Sequence, residues 1–428
     1  MRKLGLGNVV CVVALFCVAT ALASPAQTYT TLVTLDGTDG EAPGWAPLVQ
    51  GLDGNFYGVT LLGGTGSATF VCNSCGTVFK VTPSGELTTL YNFCSQSGCS
   101  DGARPAAGLT LGINGNFYGT TLTGGAFDSG TIFEITPTGT LTTLYAFCSR
   151  ANCPEGGDPL GGVIQGLNGT LYGTTSTEGP RGAGTVFKLS RTGEFSTLFS
   201  FCPQTDCPGG QAPMGPLTWA ANGNLVGTTA YGGTGNAGTI FEISPAGHFR
   251  VLHAFAAADD SQGNIANGVV LARDGNYYGT TYVGGTFGYG SIFELSPLGR
   301  YATLFSFSAV EGDEPEGTLV QGFDGNFYGT TYMGGPSFYG NIFRFTPSGT
   351  FTSLYDFCSG PGCPDGQNPS AGLVQGVNGI FYGGTGGGGS QACIGGCGTI
   401  YSLSVGLSPL SEATGFGRLN AKASHSGE

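Results

Sequence analysis

Charged side chains are scarce in this chain, and positive charge is the scarcest. Asp, Glu, Lys and Arg make up 10% of the 428 residues, with 14 cations against 27 acids and a formal net charge of −13. A chain so poor in cations cannot neutralise a phosphate backbone, so we expect no nucleic-acid partner. The acidic balance favours attraction of cations in general but specifies no ligand.

Histidine is almost absent, which narrows the possible chemistry. The three histidines are His248, His253 and His425, and no Ser/His/Asp set, HExxH motif or nucleophile elbow accompanies them. A catalytic mechanism based on histidine is therefore not expected. Paired carboxylates remain the chemical option for an enzyme, and no catalytic residue can be named.

No long apolar run occurs beyond the first residues of the chain. Arg2 and Lys3 precede an apolar stretch at 9–19, and small residues surround a cleavage site after Ala23. The stretch is too short for a membrane span. We therefore predict that residues 1–23 are a cleaved signal peptide and that the mature chain is secreted or lies in the cell envelope, without a membrane span.

Cysteine is frequent, and its placement is regular. Fourteen cysteines are present, and all those beyond the signal peptide lie in close pairs. An even number of closely paired cysteines in an exported chain predicts disulfides. The predicted pairs are Cys72/Cys75, Cys94/Cys99, Cys148/Cys153, Cys202/Cys207, Cys358/Cys363 and Cys393/Cys397.

Glycine and aromatic residues recur at fixed places along the chain. The 81 Gly, 29 Phe and 18 Tyr suit short packed strands and tight turns. An element of the Tyr-Gly-Thr type recurs in steps of 50 to 61 residues, and periods of this length indicate propellers or arrays. Its copies begin at Tyr57, Tyr118, Tyr172, Val226, Tyr278, Tyr328 and Tyr382.

Each repeat predicts four antiparallel strands, A to D, as the sixth copy illustrates. Strand A (319–322) leads through Asp324-Gly325 into strand B (327–331), because Asp-Gly supplies the positive φ angles of a tight hairpin. A Gly-Gly loop precedes strand C (340–346), and a Pro-Ser-Gly turn leads into strand D (351–357). Seven such units predict an all-β fold, a seven-bladed β-propeller.

The two ends of the chain predict how the ring closes. The last copy stops after strand C (398–403), whereas the segment 28–35, before the first copy, resembles a strand D. We expect this N-terminal strand to complete the seventh blade, since an open solenoid would gain nothing from the permutation. The predicted propeller spans residues 24–406, a polar tail follows at 407–428, and a monomer is expected.

Four sequence elements recur in the same order through the chain. They are Asp-Gly-Asn-Phe-Tyr-Gly-Thr-Thr (324–331), a following Gly-Gly, Gly-Thr-Ile-Phe-Glu (130–134) and Thr-Pro-Thr-Gly (136–139). This succession resembles the GloVer tandem-repeat family of bacterial exported proteins over about residues 28–406. The resemblance implies the architecture and no activity or ligand. Family members often carry a C-terminal anchoring signal, which the polar tail does not match.

The long D–A loops, which join consecutive repeats, hold most of the acidic residues. The strand order places the D–A and B–C loops on one face of the disc, where binding residues are expected. Their carboxylates could bind Ca²⁺ or sugar hydroxyls, although Asp-Gly and Pro are also ordinary turn chemistry. The candidate ligand-binding acids are Asp39, Glu41, Asp101, Glu155, Asp158, Glu311, Asp313, Glu314 and Asp365.

Strand A carries a large polar or aromatic side chain in the same register in five repeats. These side chains could line a central channel and contact a ligand, or they could hydrogen-bond neighbouring blades. The residues are Gln50, Gln165, Trp219, Gln321 and Gln375.

Two cysteine pairs differ from the others because they lie in B–C loops. Cys72/Cys75 and Cys393/Cys397 belong to the first and last blades, which ring closure makes neighbours. A four-thiolate zinc site is therefore the alternative to two disulfides there. No cofactor is predicted beyond these open options of Zn²⁺ and Ca²⁺.

Together these patterns predict a non-catalytic exported propeller whose acidic loops bind an extracellular glycan or protein. The first alternative is a carbohydrate-active hydrolase or lyase, which would need two loop carboxyl groups about 5–9 Å apart. The second alternative is a structural repeat module of the cell surface.

Overall fold

The computed structural model describes residues 27–66, 75–204, 206–256 and 264–410, and for residues 264–266 the backbone alone. The predicted signal peptide, Cys72 and the tail beyond residue 410 lie outside this part of the chain. Within the described ranges, no helix is long and apolar enough to cross a membrane. Two single turns of 3-10 helix occur, at Pro43–Trp45 and Ser97–Cys99.

Seven four-stranded antiparallel sheets form the blades of a β-propeller, which confirms the predicted fold class. In each blade the strands lie in the order A-B-C-D. Blades 1 and 2 consist of β2 (Val49–Gln50), β3 (Phe56–Thr60), β4 (Thr77–Val81) and β5 (Leu87–Asn92), and of β6 (Thr110–Leu111), β7 (Phe117–Thr121), β8 (Thr131–Ile135) and β9 (Leu141–Ala146).

The next three blades repeat this arrangement. Blades 3 and 4 consist of β10 (Val163–Gln165), β11 (Leu171–Thr175), β12 (Thr185–Leu189) and β13 (Phe195–Ser200), and of β14 (Thr218–Trp219), β15 (Leu225–Thr229), β16 (Thr239–Ile243) and β17 (Phe249–Ala254). Blade 5 consists of β18 (Asn264–Leu271), β19 (Tyr277–Val283), β20 (Ser291–Leu295) and β21 (Tyr301–Ser306).

Blade 6 follows the same order, whereas blade 7 takes strands from both ends of the chain. Blade 6 consists of β22 (Val320–Gln321), β23 (Phe327–Thr331), β24 (Asn341–Phe345) and β25 (Phe351–Asp356). Blade 7 consists of β26 (Val374–Gln375), β27 (Phe381–Gly384), β28 (Thr399–Ser404) and the N-terminal β1 (Thr28–Thr34).

The N-terminal strand β1 closes the ring as predicted. It pairs antiparallel with β28, from Thr28 opposite Ser404 to Thr34 opposite Thr399. Tyr29 also contacts blade 6, because its ring stacks on that of Tyr355 at a centroid distance of 3.7 Å. Its hydroxyl donates a hydrogen bond of 2.6 Å to the backbone oxygen of Asp365. The strand therefore joins blade 7 to blade 6.

Aromatic contacts hold neighbouring blades together around the ring. A phenylalanine that follows strand D meets the aromatic side chain of strand C in the next blade, edge to face, at centroid distances of 5.2 to 6.1 Å. The pairs are Phe93–Phe133, Phe147–Phe187, Phe201–Phe241, Phe255–Phe293, Phe307–Phe343 and Phe357–Tyr401. Leu35, after β1, holds this position in blade 7 and is fully buried.

The glycine of the Tyr-Gly-Thr element makes room for these strand C rings. A Cβ atom on Gly119 would lie 2.5 Å from Cζ of Phe133 and 2.8 Å from Cδ2 of Leu109. The same approach occurs in the other blades, which explains why this position recurs as glycine. The equivalent glycines are Gly58, Gly173, Gly227, Gly279, Gly329 and Gly383.

The antiparallel order divides the connections between two faces. We call the side with the D–A and B–C connections the loop face and the side with the A–B and C–D turns the turn face. The described parts of the D–A connections are 35–48, 93–109, 147–162, 201–204 with 206–217, 307–319 and 357–373. Those of the B–C connections are 61–66 with 75–76, 122–130, 176–184, 230–238, 284–290, 332–340 and 385–398. Single backbone bridges join the two sets, as between Glu41 and Leu62 and between Asp313 and Met333.

We predict that replacing Gly119 with alanine destabilises the propeller by about 1–3 kcal/mol, because the new methyl group overpacks a buried aromatic contact. The change is measured by chemical unfolding. Gly360→Ala is the matched control, since a Cβ atom there meets nothing closer than 3.9 Å. Equal effects of the two substitutions would contradict this explanation of the repeated glycine.

Candidate functional site

Disulfides lie in the connections of the loop face, four of the described ones in D–A connections and one in a B–C connection. The described bonds are Cys94–Cys99, Cys148–Cys153, Cys202–Cys207, Cys358–Cys363 and Cys393–Cys397. Cys75 is also disulfide-bonded, and its predicted partner, Cys72, lies outside the described residues. The zinc alternative would require free thiolates at Cys393 and Cys397, which are instead joined to each other.

The carboxylate of Asp101 organises the first of these connections. The side chain is fully buried. Oδ2 accepts hydrogen bonds from the Tyr91 hydroxyl at 2.8 Å and from both the backbone N–H and the hydroxyl of Ser95 at 3.0 Å. A buried carboxylate with this many hydrogen-bond donors has a structural role. It ties the end of strand D to the loop that follows.

The same arrangement recurs in two further connections. Glu155 accepts hydrogen bonds from Tyr145 and Ser149, and Asp365 accepts them from Tyr355 and Ser359. Burial raises the pKa of Glu155, but the Ser149 hydroxyl and backbone N–H groups outweigh burial and hold the pKa below its ordinary value.

Blade 4 receives a connection in which the acid and both of its donors are replaced together. Gly209 stands where Asp101, Glu155 and Asp365 stand in the others, Phe199 replaces the tyrosine and Pro203 replaces the serine. A carboxylate without donors would be buried at a cost of several kcal/mol. The joint replacement therefore supports a structural role for these three acids.

The other six predicted acids occupy four settings on the loop face. Asp39 and Glu311 accept hydrogen bonds at the starts of their loops, from the Asp36 N–H and from Ser308. Asp158 accepts a hydrogen bond from Thr177, and Glu314 lies beside the Tyr282 hydroxyl.

Glu41 and Asp313 are the remaining two acids, and both lie in backbone bridges to B–C loops. Partial burial raises the pKa of each above its ordinary value. The ligand-binding role of the nine acids stays a prediction.

The strand A glutamines join neighbouring blades at the turn face. Gln50 donates to the backbone oxygen of Gly54 at 3.0 Å and accepts from the Val377 N–H of blade 7 at 3.0 Å. Gln165, Gln321 and Gln375 make the same pair of contacts, and their acceptor oxygens face the N–H groups of Ile113, Arg273 and Phe323. Trp219 donates from Nε1 to the backbone oxygen of Gln165 at 3.2 Å. The sequence left open whether these side chains contact a ligand or hydrogen-bond neighbouring blades. The structure contains the hydrogen bonds between blades.

A cavity of about 410 Å³ lies on the axis of the ring, where residues before the strands A converge. We call it the axial cavity. None of the fourteen predicted ligand-binding residues lines it in the described structure. Its wall is mainly apolar on the side of blades 1–4, with Trp45, Pro47, Leu160 and Met214, and more polar on the side of blades 5–7, with Asn267, Glu316, Thr318 and Ser370.

Glu316 is the one charged residue in this wall, as far as the chain is described. Burial raises the pKa of its carboxyl group to about 7, although the neighbouring Ser370 hydroxyl favours the charged form and Glu314 opposes it. Ser370 is 6% exposed, and its Oγ makes no hydrogen bond of good geometry. The cavity thus contains a titratable group and a neighbouring hydroxyl with unused hydrogen-bonding capacity.

Glu316 is not among the predicted site residues, although the sequence carries a signal for it. The residue after the loop proline is Ala106 in blade 2, Leu160 in blade 3, Met214 in blade 4 and Ser370 in blade 7, but it is Glu316 in blade 6. A comparison of the repeats for their differences, instead of their common acids, would have singled out this position.

The sheets, their order and the axial cavity define the protein as a seven-bladed β-propeller with a cavity open to the loop face. The model of the Gloeobacter/Verrucomicrobia repeat family matches residues 18–153, 73–266 and 159–401. The chain belongs to this family, which confirms the resemblance drawn from the repeats. No curated protein matches the chain.

Two solved structures share the fold. The chain matches the extracellular domain of a protein described as a hybrid two component system from B. thetaiotaomicron, with 13% identity, a TM-score of 0.52 and coverage of 87% of this chain and 40% of that one. It also matches the extracellular domain of a protein described as a one component system from the same organism, with 11% identity, a TM-score of 0.52 and coverage of 89% and 42%. The chain spans about two fifths of either structure, and the likeness concerns the fold.

We predict that Glu316→Gln stabilises the protein at pH 8 and leaves stability unchanged at pH 4. The native pKa of about 7 lies above the ordinary value of 4.5, so the native state binds more protons between these pH values and stability falls as pH rises through them. Removing the ionisable group recovers up to roughly 3 kcal/mol above pH 7. Thermal unfolding measures the change, and Glu86→Gln, in an exposed turn, is the control. An equal gain at both pH values would contradict the assignment.

Proposed function

We propose that this protein is exported and binds a glycan at the mouth of the axial cavity, without catalysing a reaction. The observation that carries the proposal is the cavity itself, which is lined by all seven blades and has Trp45 in its wall with 47% of its surface exposed. Binding pockets are typically apolar concave sites with a few polar groups. An exposed tryptophan supplies a flat apolar face for the C–H bonds of a sugar ring.

The apolar residues exposed at the two faces support the same proposal. On the loop face six further aromatic side chains are at least 36% exposed: Phe127, Tyr231, Phe287, Tyr289, Phe338 and Tyr339. On the turn face the large exposed apolar residues among those described are aliphatic: Leu52, Ile113, Leu167, Leu298 and Val377. Exposed aromatic rings on a rigid scaffold are suited to recognition, so the loop face is the binding face in this proposal.

Export is supported by the disulfides. Five are described and all of them lie in loops, a usage that persists in oxidising compartments. The two similar domains described above are extracellular parts of their proteins, which agrees with an extracellular role. If the ligand were a protein, it would bind the same face, but its binding would not depend on the structure of a sugar.

The carboxylates favour binding over catalysis. Glycoside hydrolysis needs two carboxyl groups across the scissile bond, and one acid lines the described cavity. Asp101, Glu155 and Asp365 are held by their own loops.

A hydrolase or lyase is the second candidate, because Glu316 has the pKa of a general acid near neutral pH and Glu314 lies close to it. Release of shorter sugars from a bound glycan, lost in Glu316→Gln, would favour this candidate.

The test is a glycan-array screen of the chain from Ser24 to Glu428, followed by calorimetric titration of the best neutral oligosaccharide. We expect saturable binding and a loss of about tenfold in affinity for Trp45→Ala, because the stacking surface is removed. Leu298→Ala, which removes an exposed apolar side chain from the turn face, should leave the affinity unchanged. Absence of binding to every glycan would contradict the proposal.

A further inference from the structure

Some polar side chains of the axial cavity already form hydrogen bonds within the protein, and others do not. Thr110 donates its hydroxyl to a backbone oxygen of blade 3, Thr318 donates to the backbone oxygen of Asn267, and Asn267 donates its amide to that of Pro315. Glu316 and Ser370 make no such bond to the backbone. They are therefore the polar side chains of this wall that are most available to a ligand.

The groups around Glu316 supply negative or neutral partners. Glu314 belongs to its own loop, Tyr332 approaches from the end of β23, Tyr282 approaches from the end of β19, and Ser370 comes from blade 7. No lysine, arginine or histidine lines the described cavity. An ionised carboxylate that is partly buried without a counter-charge is costly, and a cation brought by a ligand would remove that cost.

The surroundings of the cavity also favour a cationic ligand. The loop face, as defined above, carries fourteen acidic residues and three arginines, Arg104, Arg150 and Arg181, among its described residues. A surface with such an excess of one sign raises the local concentration of oppositely charged ligands and their association rate. Negatively charged glycans would be repelled by the same field.

We propose that the axial cavity selects glycans that carry a free, protonated amino group and that this group pairs with the carboxylate of Glu316. The inference rests on the proposed glycan binding and names its ligand class. In this arrangement the amine donates charge-assisted hydrogen bonds to Glu316 and the Ser370 hydroxyl adds a further contact. Trp45 and the apolar wall of blades 1–4 face the rest of the sugar chain.

The pH dependence of the preference follows from Glu316. Its carboxyl group, with a pKa near 7 in the free protein, is mostly protonated at pH 5 and ionised at pH 7.5. The preference for the amine therefore rises from pH 5 towards neutral pH, where Glu316 ionises while the weakly basic sugar amine still carries its proton. The bound cation promotes loss of the proton from Glu316, and Glu316 in turn favours the protonated amine. A neutral glycan has no cause to show this rise.

The experiment compares three β-1,4-linked tetramers by calorimetric titration at pH 5 and pH 7.5: those of glucose, of N-acetylglucosamine and of glucosamine. We expect the glucosamine tetramer to bind at least about tenfold more tightly than the other two at pH 7.5. Glu316→Gln should abolish this preference and retain the weaker binding of neutral tetramers. Asp206→Asn removes an exposed charge from the same face outside the cavity wall and should keep the preference.

The outcomes separate this inference from the proposed function. Equal binding of the three tetramers would overturn the amine selectivity and leave glycan binding intact. A preference for glucosamine that Glu316→Gln and Asp206→Asn reduce equally would also overturn it, since the general field of the face would then be the cause. Absence of binding to all three tetramers and to every arrayed glycan would contradict the proposed function itself.

Discussion

The contact between consecutive blades is the interaction on which the rest of the structure depends. A four-stranded sheet has two apolar faces, and each blade covers one face of the next. The edge-to-face pair Phe307–Phe343 is one instance of a contact that recurs around the ring. A ring satisfies this demand for every blade, whereas an open array leaves two faces in water. The N-terminal strand meets the same need to cover apolar faces. It completes blade 7, and its Tyr29 packs on blade 6.

This packing also decides which loop residues are free for a ligand. The D–A connections cross from one blade to the next, so their backbone must be fixed against strands B and C. The Glu155 backbone oxygen accepts a hydrogen bond from Thr185, and a Cβ atom on Gly156 would lie 1.9 Å from the Thr175 hydroxyl oxygen. Where the loop carries the repeated acid, at Asp101, Glu155 and Asp365, its carboxylate is hydrogen-bonded to the loop's own side chains. In the proposed function, recognition falls to positions where the repeats differ, and Glu316 is such a position.

Much of the architecture was predictable because it depends on features that repeat. The Tyr-Gly-Thr period, the Asp-Gly turns and the missing last strand D predicted the blades and their closure, although strand A is shorter than expected, Val320–Gln321, because Gly322 already belongs to the turn. The site was less predictable. In sequence, a loop acid that binds a ligand looks the same as one that is hydrogen-bonded to Tyr and Ser of its own loop. The joint change to Phe199 and Gly209 indicates the second case, because the acid and its donor are lost together.

Ring closure by β1 is the central claim, and unfolding of a truncated chain tests it most directly. Guanidinium unfolding would compare the chain that begins at Ser24 with one that begins at Asp36, with and without a synthetic peptide of residues 24–35. The account predicts a lower unfolding midpoint for the truncated chain and a rise with added peptide, since the peptide can pair with the free edge of β28. An unchanged midpoint in the truncated chain would show that closure does not hold the propeller together.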